Sequence, residues 1–181
     1  MTKEKPSLLL HTCCMSCGAN VVKELTENFT VTLYFYNPNI FPLAEYQKRL
    51  DETIRIAKDC NYTLIIEPYD HESWKKLTKG HELDREKGER CRICYHDRMK
   101  TTLEKANTQK FNYFSTTLTV SPHKDAKAIA NIGLNLVKTN NVKFLDTDFK
   151  KNDGFKKAVQ LSKELNLYRQ EYCGCEFSIK K

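Results

Sequence analysis

Ser7-Leu8-Leu9-Leu10-His11-Thr12-Cys13-Cys14-Met15-Ser16-Cys17 is the stretch whose reading decides the fold. Ser7–His11 is short and apolar, as a strand would be. Ser16–Asn28 groups Val21, Val22 and Leu25 as a helix does. Outward from this pair the pattern repeats. Val31–Tyr36 is β-branched and aromatic, a second strand, and Asn37-Pro38-Asn39 is turn chemistry. Pro42–Asp59 places Leu43, Tyr46, Leu50, Ile54 and Ala57 at helical steps, and Tyr62–Glu67 reads as a third strand. A short helix is expected over His71–Lys79, a polar loop over Gly80–Arg90, and a helix over Cys91–Thr108 with Met99, Leu103 and Ala106 on one side. Phe111–Thr117 is a strand. Ser121-Pro122 reads as the N-cap and first position of a helix running to Thr139. Val142–Leu145 is a strand, Asn152–Asn166 a helix, and the tail from Tyr168 is irregular. The alternation predicts one α/β domain over residues 1–181, with a mainly parallel sheet flanked by helices. Ligands of such sheets bind at the carboxyl ends of the strands. His11–Cys14, Asn37–Asn39 and Thr116–Ser121 are therefore expected to meet at one edge.

The balance of 40% hydrophobic and 29% charged residues is that of a soluble globular chain. No apolar run approaches the ~18 residues of a membrane span. Leu8-Leu9-Leu10 is too short for the core of a signal peptide, so the expected location is cytoplasmic, without a membrane. The net charge of +7 suits a polyanionic partner, and equally plain solubility.

Cysteine is the informative residue type. Seven of the eight cysteines fall in three tight groups, and Cys60 stands alone; it reads as an ordinary buried or half-buried thiol. Disulfides are rare in a reducing cytosol, where clustered thiols bind metal or do redox chemistry. Cys13, Cys14 and Cys17 sit at a strand-to-helix turn, where free amides favour the thiolate, the form that soft metals and iron–sulfur clusters take. Cys91 and Cys94 form a CxxC pair. With Cys13 and Cys14 they make four thiolates, the count for a [4Fe–4S] cluster and also for structural zinc. Cys173-Gly174-Cys175 is a closely spaced dithiol. It suits a second metal shared with Cys17, a redox cycle, or a zinc clip. Arg169 could hold an anion by its planar fork or be an ordinary surface residue. His11 could tune the centre or be a satisfied core histidine. Neither a Walker A sequence nor a Gly-rich dinucleotide fingerprint is present.

Six segments in order, L-L-L-H-T-C-C-M-S-C (8–17), F-Y-N-P-N-I (35–40), E-Y-Q-K-R (45–49), R-C-R-I-C-Y-H-D-R-M (90–99), T-T-L-T-V-S-P-H-K (116–124) and Y-R-Q-E-Y-C-G-C-E-F-S (168–178), resemble the QueH-type epoxyqueuosine reductases. The resemblance implies reduction of epoxyqueuosine to queuosine at the tRNA wobble base, the last step of queuosine synthesis. It implies an α/β fold similar to adenine-nucleotide hydrolase-like (HUP) domains. By matching motif, Cys13, Cys14, Cys91 and Cys94 would hold a [4Fe–4S] cluster, Cys173 and Cys175 would be the catalytic redox pair, and a second metal ion, iron, would lie beside the cluster. Some family members have an acidic residue where this chain has Cys17, and a thiolate there changes the charge and softness of the site. The partners implied are the anticodon loop of tRNA and an electron donor. Unpaired loop bases are stacked on aromatics and read on their edges; Tyr36, with Tyr34, Tyr95 and Tyr168, is a candidate for stacking. Ser121 and Lys124 at a helix start are candidates for an anion, and Asn37 and Asn39 for the pocket mouth. The competing readings are a tRNA-thiolation enzyme, which would need a pyrophosphate loop where His11–Cys14 stands, and a zinc-stabilised RNA-binding module.

Overall fold

Leu8, Leu9 and Leu10 have no exposed surface. Successive strand residues point to opposite faces, so three buried leucines in a row require cover on both sides. The structure, a computed structural model describing residues 4–179, supplies that cover. Strand β1 (Ser7–His11) is the middle strand of a five-stranded sheet of order β3-β2-β1-β4-β5, with β2 at Thr30–Phe35, β3 at Thr63–Ile66, β4 at Tyr113–Thr116 and β5 at Lys143–Phe144. Every strand pair is parallel, with His11 opposite Tyr34 on β2 and Thr116 on β4.

Helices α1 (Met15–Leu25), α2 (Leu43–Asp59) and α6 (Gly154–Glu164) cover one face. Val21, Val22, Ile56 and Ala158 pack there on Leu8, Leu10 and Leu33. Helices α4 (Glu89–Thr108) and α5 (Ala126–Leu136) cover the other, where Tyr95, Met99, Leu103 and Ile129 meet Leu9 and Phe114. Each buried large aliphatic side chain contributes about 2 kcal/mol by leaving water. Helix α3 (His71–Leu77) lies over the carboxyl ends of the strands, with Trp74 against Cys94 and Cys175. Among the described residues no helix is long and apolar enough to cross a membrane.

The strand order matters for function. The chain builds outward from β1 to β2 and β3, then returns to the other side of β1 for β4 and β5. The order reverses between β1 and β4, and such a switch point opens a crevice at the carboxyl ends. His11 Nδ1 and Thr116 Oγ1, 2.9 Å apart, bridge the two strands at its floor.

Two expectations are corrected. The helix expected from Ser121-Pro122 begins later. After β4 the chain makes a buried 3₁₀ turn, Thr117–Val120, and Lys124 N donates to Ser121 O at 3.2 Å. Asp125 is the N-cap of α5; its carboxylate accepts from Ala128 N at 3.0 Å. Cys60 is exposed rather than buried, because it is the C-cap residue of α2, where the chain leaves the packed face.

Candidate metal centre

Three segments bring seven thiols to the crevice. The first is the β1–α1 turn. Thr12 N donates to Tyr34 O at 2.9 Å, and Thr12 O accepts from Asn37 Nδ2 at 2.9 Å, which pins the turn to the sheet edge. Cys14 is the extended N-cap residue of α1. Its sulfur stands 3.8 Å from that of Cys13 and accepts from Gln170 Nε2 at 3.1 Å.

The second segment is the start of α4. Cys91, Cys94, Tyr95 and Arg98 follow i, i+3, i+4, i+7 spacing and so share a face. Cys94, Tyr95 and Arg98 are buried.

The third is the C-terminal tail, held by α2. Arg49 donates to the carbonyls of Tyr172 and Cys173, both at 3.2 Å. Glu45 pairs with Arg49 at 2.7 Å and accepts from the Tyr168 hydroxyl at 2.7 Å. Phe41 N donates to Gly174 O at 2.8 Å, and the Tyr172 hydroxyl donates to Phe41 O. Gly174 has φ +122°, and a Cβ there would lie 3.1–3.3 Å from Ile40, Arg49 and Asn39. The bend between Cys173 and Cys175 therefore requires glycine.

Two spaces result. A pocket of about 260 Å³ is lined by Cys13, Cys17, Ser121, Lys124, Arg169 and Cys173. A void of about 10 Å³ lies among Cys91, Cys94, Cys173 and Cys175. Cys173 faces both, and Lys124 Nζ stands 2.6 Å from its sulfur.

The electrostatics are those of cations awaiting sulfur anions. Arg98 and Lys124 are both buried. Burial disfavours their charge, yet both are held charged by thiols and by the Tyr95 phenol rather than by carboxylates: Arg98 by Cys94, Cys13 and Cys173, Lys124 by Cys173 and Cys13. A buried cation without a counter-charge costs several kcal/mol. Burial raises Cys173, but Lys124 and Arg98 outweigh it and hold the thiol below its ordinary range. The hydrogen bond from Cys14 likewise lowers Cys17 against burial. The hydrogen bond to Cys14 and burial push Cys13 up. For Cys14 the bond from Cys13 favours the thiolate, but the bond to Cys17 and burial prevail and raise it to about 11. Burial also raises Cys91, Cys94 and Cys175. Of the three thiols at the helix start, only Cys17 is shifted toward the thiolate; Cys13 and Cys14 are shifted away from it.

The sequence-derived candidates divide. Ser121, Lys124 and Arg169 reach the pocket with Cys13, Cys17 and Cys173. Asn39 reaches the void. Asn37 is buried and spent on the frame, donating to Thr12 and facing Arg98 at 3.4 Å. Tyr36 turns its hydroxyl to Asp97 at 3.3 Å and lines neither space. Tyr34 and Tyr95 are buried, which removes them as faces for an incoming base. His11 is a satisfied core residue: its two ring nitrogens meet Thr116 Oγ1 and Tyr36 O. Burial, helped by Arg98, lowers it to about 3, so the ring is neutral. Sequence reading missed Arg98, Trp74 and Gln170. The i+4 step from Cys94 to Arg98 was a usable signal. Gln170 lies within the segment 168–178 that carries the resemblance, whereas Trp74 carried no signal, since it arrives from a remote segment.

The donor set fits a metal–sulfur group. It offers soft ligands beside two cations that need negative charge. Among the described residues no three side chains of Cys, His, Asp or Glu converge closely enough to hold one metal ion. A cubane takes its thiolates at separate corners, and thiols from separate segments can supply them.

Fold and site together define a class: a doubly wound α/β protein with a thiol centre in the crevice at its switch point. Residues 8–181 match the family model of Epoxyqueuosine reductase QueH. The Epoxyqueuosine reductase QueH of Streptococcus pyogenes serotype M1 is 37% identical over 182 residues, spanning 97% of this chain and 71% of that protein. That of Thermotoga maritima is 34% identical over 176 residues, spanning 96% and 90%. The chain belongs to the epoxyqueuosine reductase QueH family. Its fold is also similar to that of the U34-tRNA thiolase NcsA from Methanococcus maripaludis, solved with its [4Fe-4S] cluster, at a TM-score of 0.62 and 15% identity over 98% of this chain and 63% of that one.

Proposed function

We propose that this protein reduces epoxyqueuosine to queuosine at the wobble position of tRNA, with a [4Fe–4S] cluster and a second metal ion, iron, at the carboxyl edge of the sheet. The observation that carries the reading is the gathering of thiols from three distant segments around Arg98 and Lys124, in a chain of this family. Cys13, Cys14, Cys91 and Cys94 are the ligands for the cluster. Cys17, Cys173 and Cys175 are the catalytic thiols, with Cys173 and Cys175 as the redox pair. When bound, the cluster and the second metal supply electrons one at a time and Lewis acidity.

The chain's own side chains do the remaining work. Lys124 and Arg98 hold the Cys173 thiol below its ordinary range and so favour its thiolate. Arg49 fixes the Cys173 carbonyl and so the place of the dithiol. The pocket admits a base splayed from the anticodon loop, with Ser121 and Arg169 on its wall. Loss of the epoxide oxygen as water consumes two electrons, drawn from an external donor, and two protons. The Lys124 ammonium is the protonated group set on the Cys173 sulfur. The net charge of +7 suits the polyanionic substrate.

The test uses protein purified anaerobically and loaded with iron and sulfide. It is incubated with dithionite and tRNA carrying epoxyqueuosine, and the digest is read by mass spectrometry. A nucleoside lacking one oxygen is expected. Intact substrate beside an intact cluster would remove this substrate from the reading. Cys94→Ala is expected to lose iron and sulfide, whereas Cys175→Ser keeps the brown chromophore and loses turnover.

A further inference from the structure

The void among Cys91, Cys94, Cys173 and Cys175 has a second lining, made of hydrogen-bond donors without acceptors. Trp74 Nε1, Arg90 Nε, Arg98 Nη2 and Asn39 Nδ2 are all buried and all lack a partner. The Asn39 amide is unpartnered at its oxygen too, so four donors stand against one acceptor. Buried polar groups are nearly always satisfied, and each orphan costs about 1–3 kcal/mol. Four orphaned donors facing one void are a set rather than a scatter. Trp74 makes the point best. It packs on Cys94 and Cys175, yet its N–H makes no hydrogen bond of normal geometry.

We infer that Asn39, Trp74, Arg90 and Arg98 form a shell of N–H donors to the sulfur atoms of the metal centre, and that Trp74 and Asn39 set its reduction potential. The inference rests on the proposed function, since it requires a sulfur-ligated cluster at these thiols. Only an acceptor-rich, negatively charged group satisfies four donors of which two are guanidinium nitrogens. Thiolate and sulfide sulfurs are such acceptors, and N–H···S bonds favour the more negative, reduced state, which raises the potential. Asn39 and Trp74 are positioning residues: neither supplies a metal ligand. The family-like segment F-Y-N-P-N-I thereby has a role for its second asparagine that differs from the first, which holds Thr12.

Trp74 is the single tryptophan of the chain, so ¹⁵N-indole labelling reports on it alone. The holoprotein is loaded with iron and sulfide, reduced, and measured by pulsed electron paramagnetic resonance. A ¹⁵N coupling from the indole to the reduced cluster is expected. Midpoint potentials of Trp74→Phe and Asn39→Leu, read by spectroscopic titration, are expected to be more negative than that of the unaltered protein, at unchanged iron and sulfide content. The labelling measurement needs no variant and stands if Trp74→Phe fails to fold. A loaded cluster with no indole coupling, and with both potentials unmoved, overturns the donor shell and leaves the proposed function standing. Failure of the unaltered protein to take up iron and sulfide overturns the proposed function first, and this inference with it.

Discussion

At the residue scale, His11 shows how far burial governs chemistry at this edge. Its ring sits between Thr116 and the Tyr36 carbonyl, and burial beside Arg98 lowers its pKa from 6.5 to about 3. A depressed pKa means that stability is full above the unfolded value and drains as pH falls from 6.5 through about 3, because the unfolded chain takes the proton first. At about pH 4.5, some two units below the unfolded value, the loss is about 2–3 kcal/mol. Denaturant unfolding at neutral pH and near pH 4.5 measures it: the unaltered protein should lose that much more than His11→Gln. Equal losses in the two would show that the ring is not held neutral by the fold. The same burial explains why Cys13 and Cys14 are raised despite standing at a helix start. A shared proton and a dry environment outweigh the helix terminus, and a metal must displace those protons to bind.

At the scale of elements, the loop between β4 and α5 is where sequence and structure part. Ser121-Pro122 has the composition of a helix start, yet Asp125 caps the helix. The choice is tertiary: Thr117–Val120 is buried beneath the crevice, and Thr119 Oγ1 donates to Thr147 O at 2.9 Å, which holds the chain out of helical register. Asp125→Ala is therefore expected to cost about 1 kcal/mol, read as a fall in the thermal midpoint. Ser121→Ala should stay within about 0.5 kcal/mol of the parent. Helix α4 is the opposite case. Its i, i+3, i+4, i+7 spacing sets Cys91, Cys94, Tyr95 and Arg98 on one face whatever surrounds it.

For the whole molecule, the critical joint is between α2 and the tail. Arg49 and Glu45 are buried as a pair, and through them the dithiol segment is tied to a helix more than a hundred residues away. Arg49→Leu strands the Glu45 carboxylate and two carbonyls. It should cost about 3–5 kcal/mol, and limited proteolysis should then cut within 168–179 before the core. Glu45→Gln added to Arg49→Leu should recover part of that loss, since it removes the stranded charge. Cys60→Ser, on the exposed end of α2, should leave iron and sulfide content unchanged.

Short-range pattern determined which segments are strands and helices, that the sheet is parallel, and that the first thiol group, at His11–Cys14, lies at its carboxyl edge. Period, turn chemistry and the three consecutive leucines act over a few residues and are legible in one dimension. The strand order, with its reversal between β1 and β4, was decided only in three dimensions. So were the clamp of Arg49 on the tail, the neutral state of His11 and the ring of unsatisfied donors around the void. Each of these joins residues many tens of positions apart, and burial, the quantity that sets their energies, belongs to the packed molecule rather than to any segment of it.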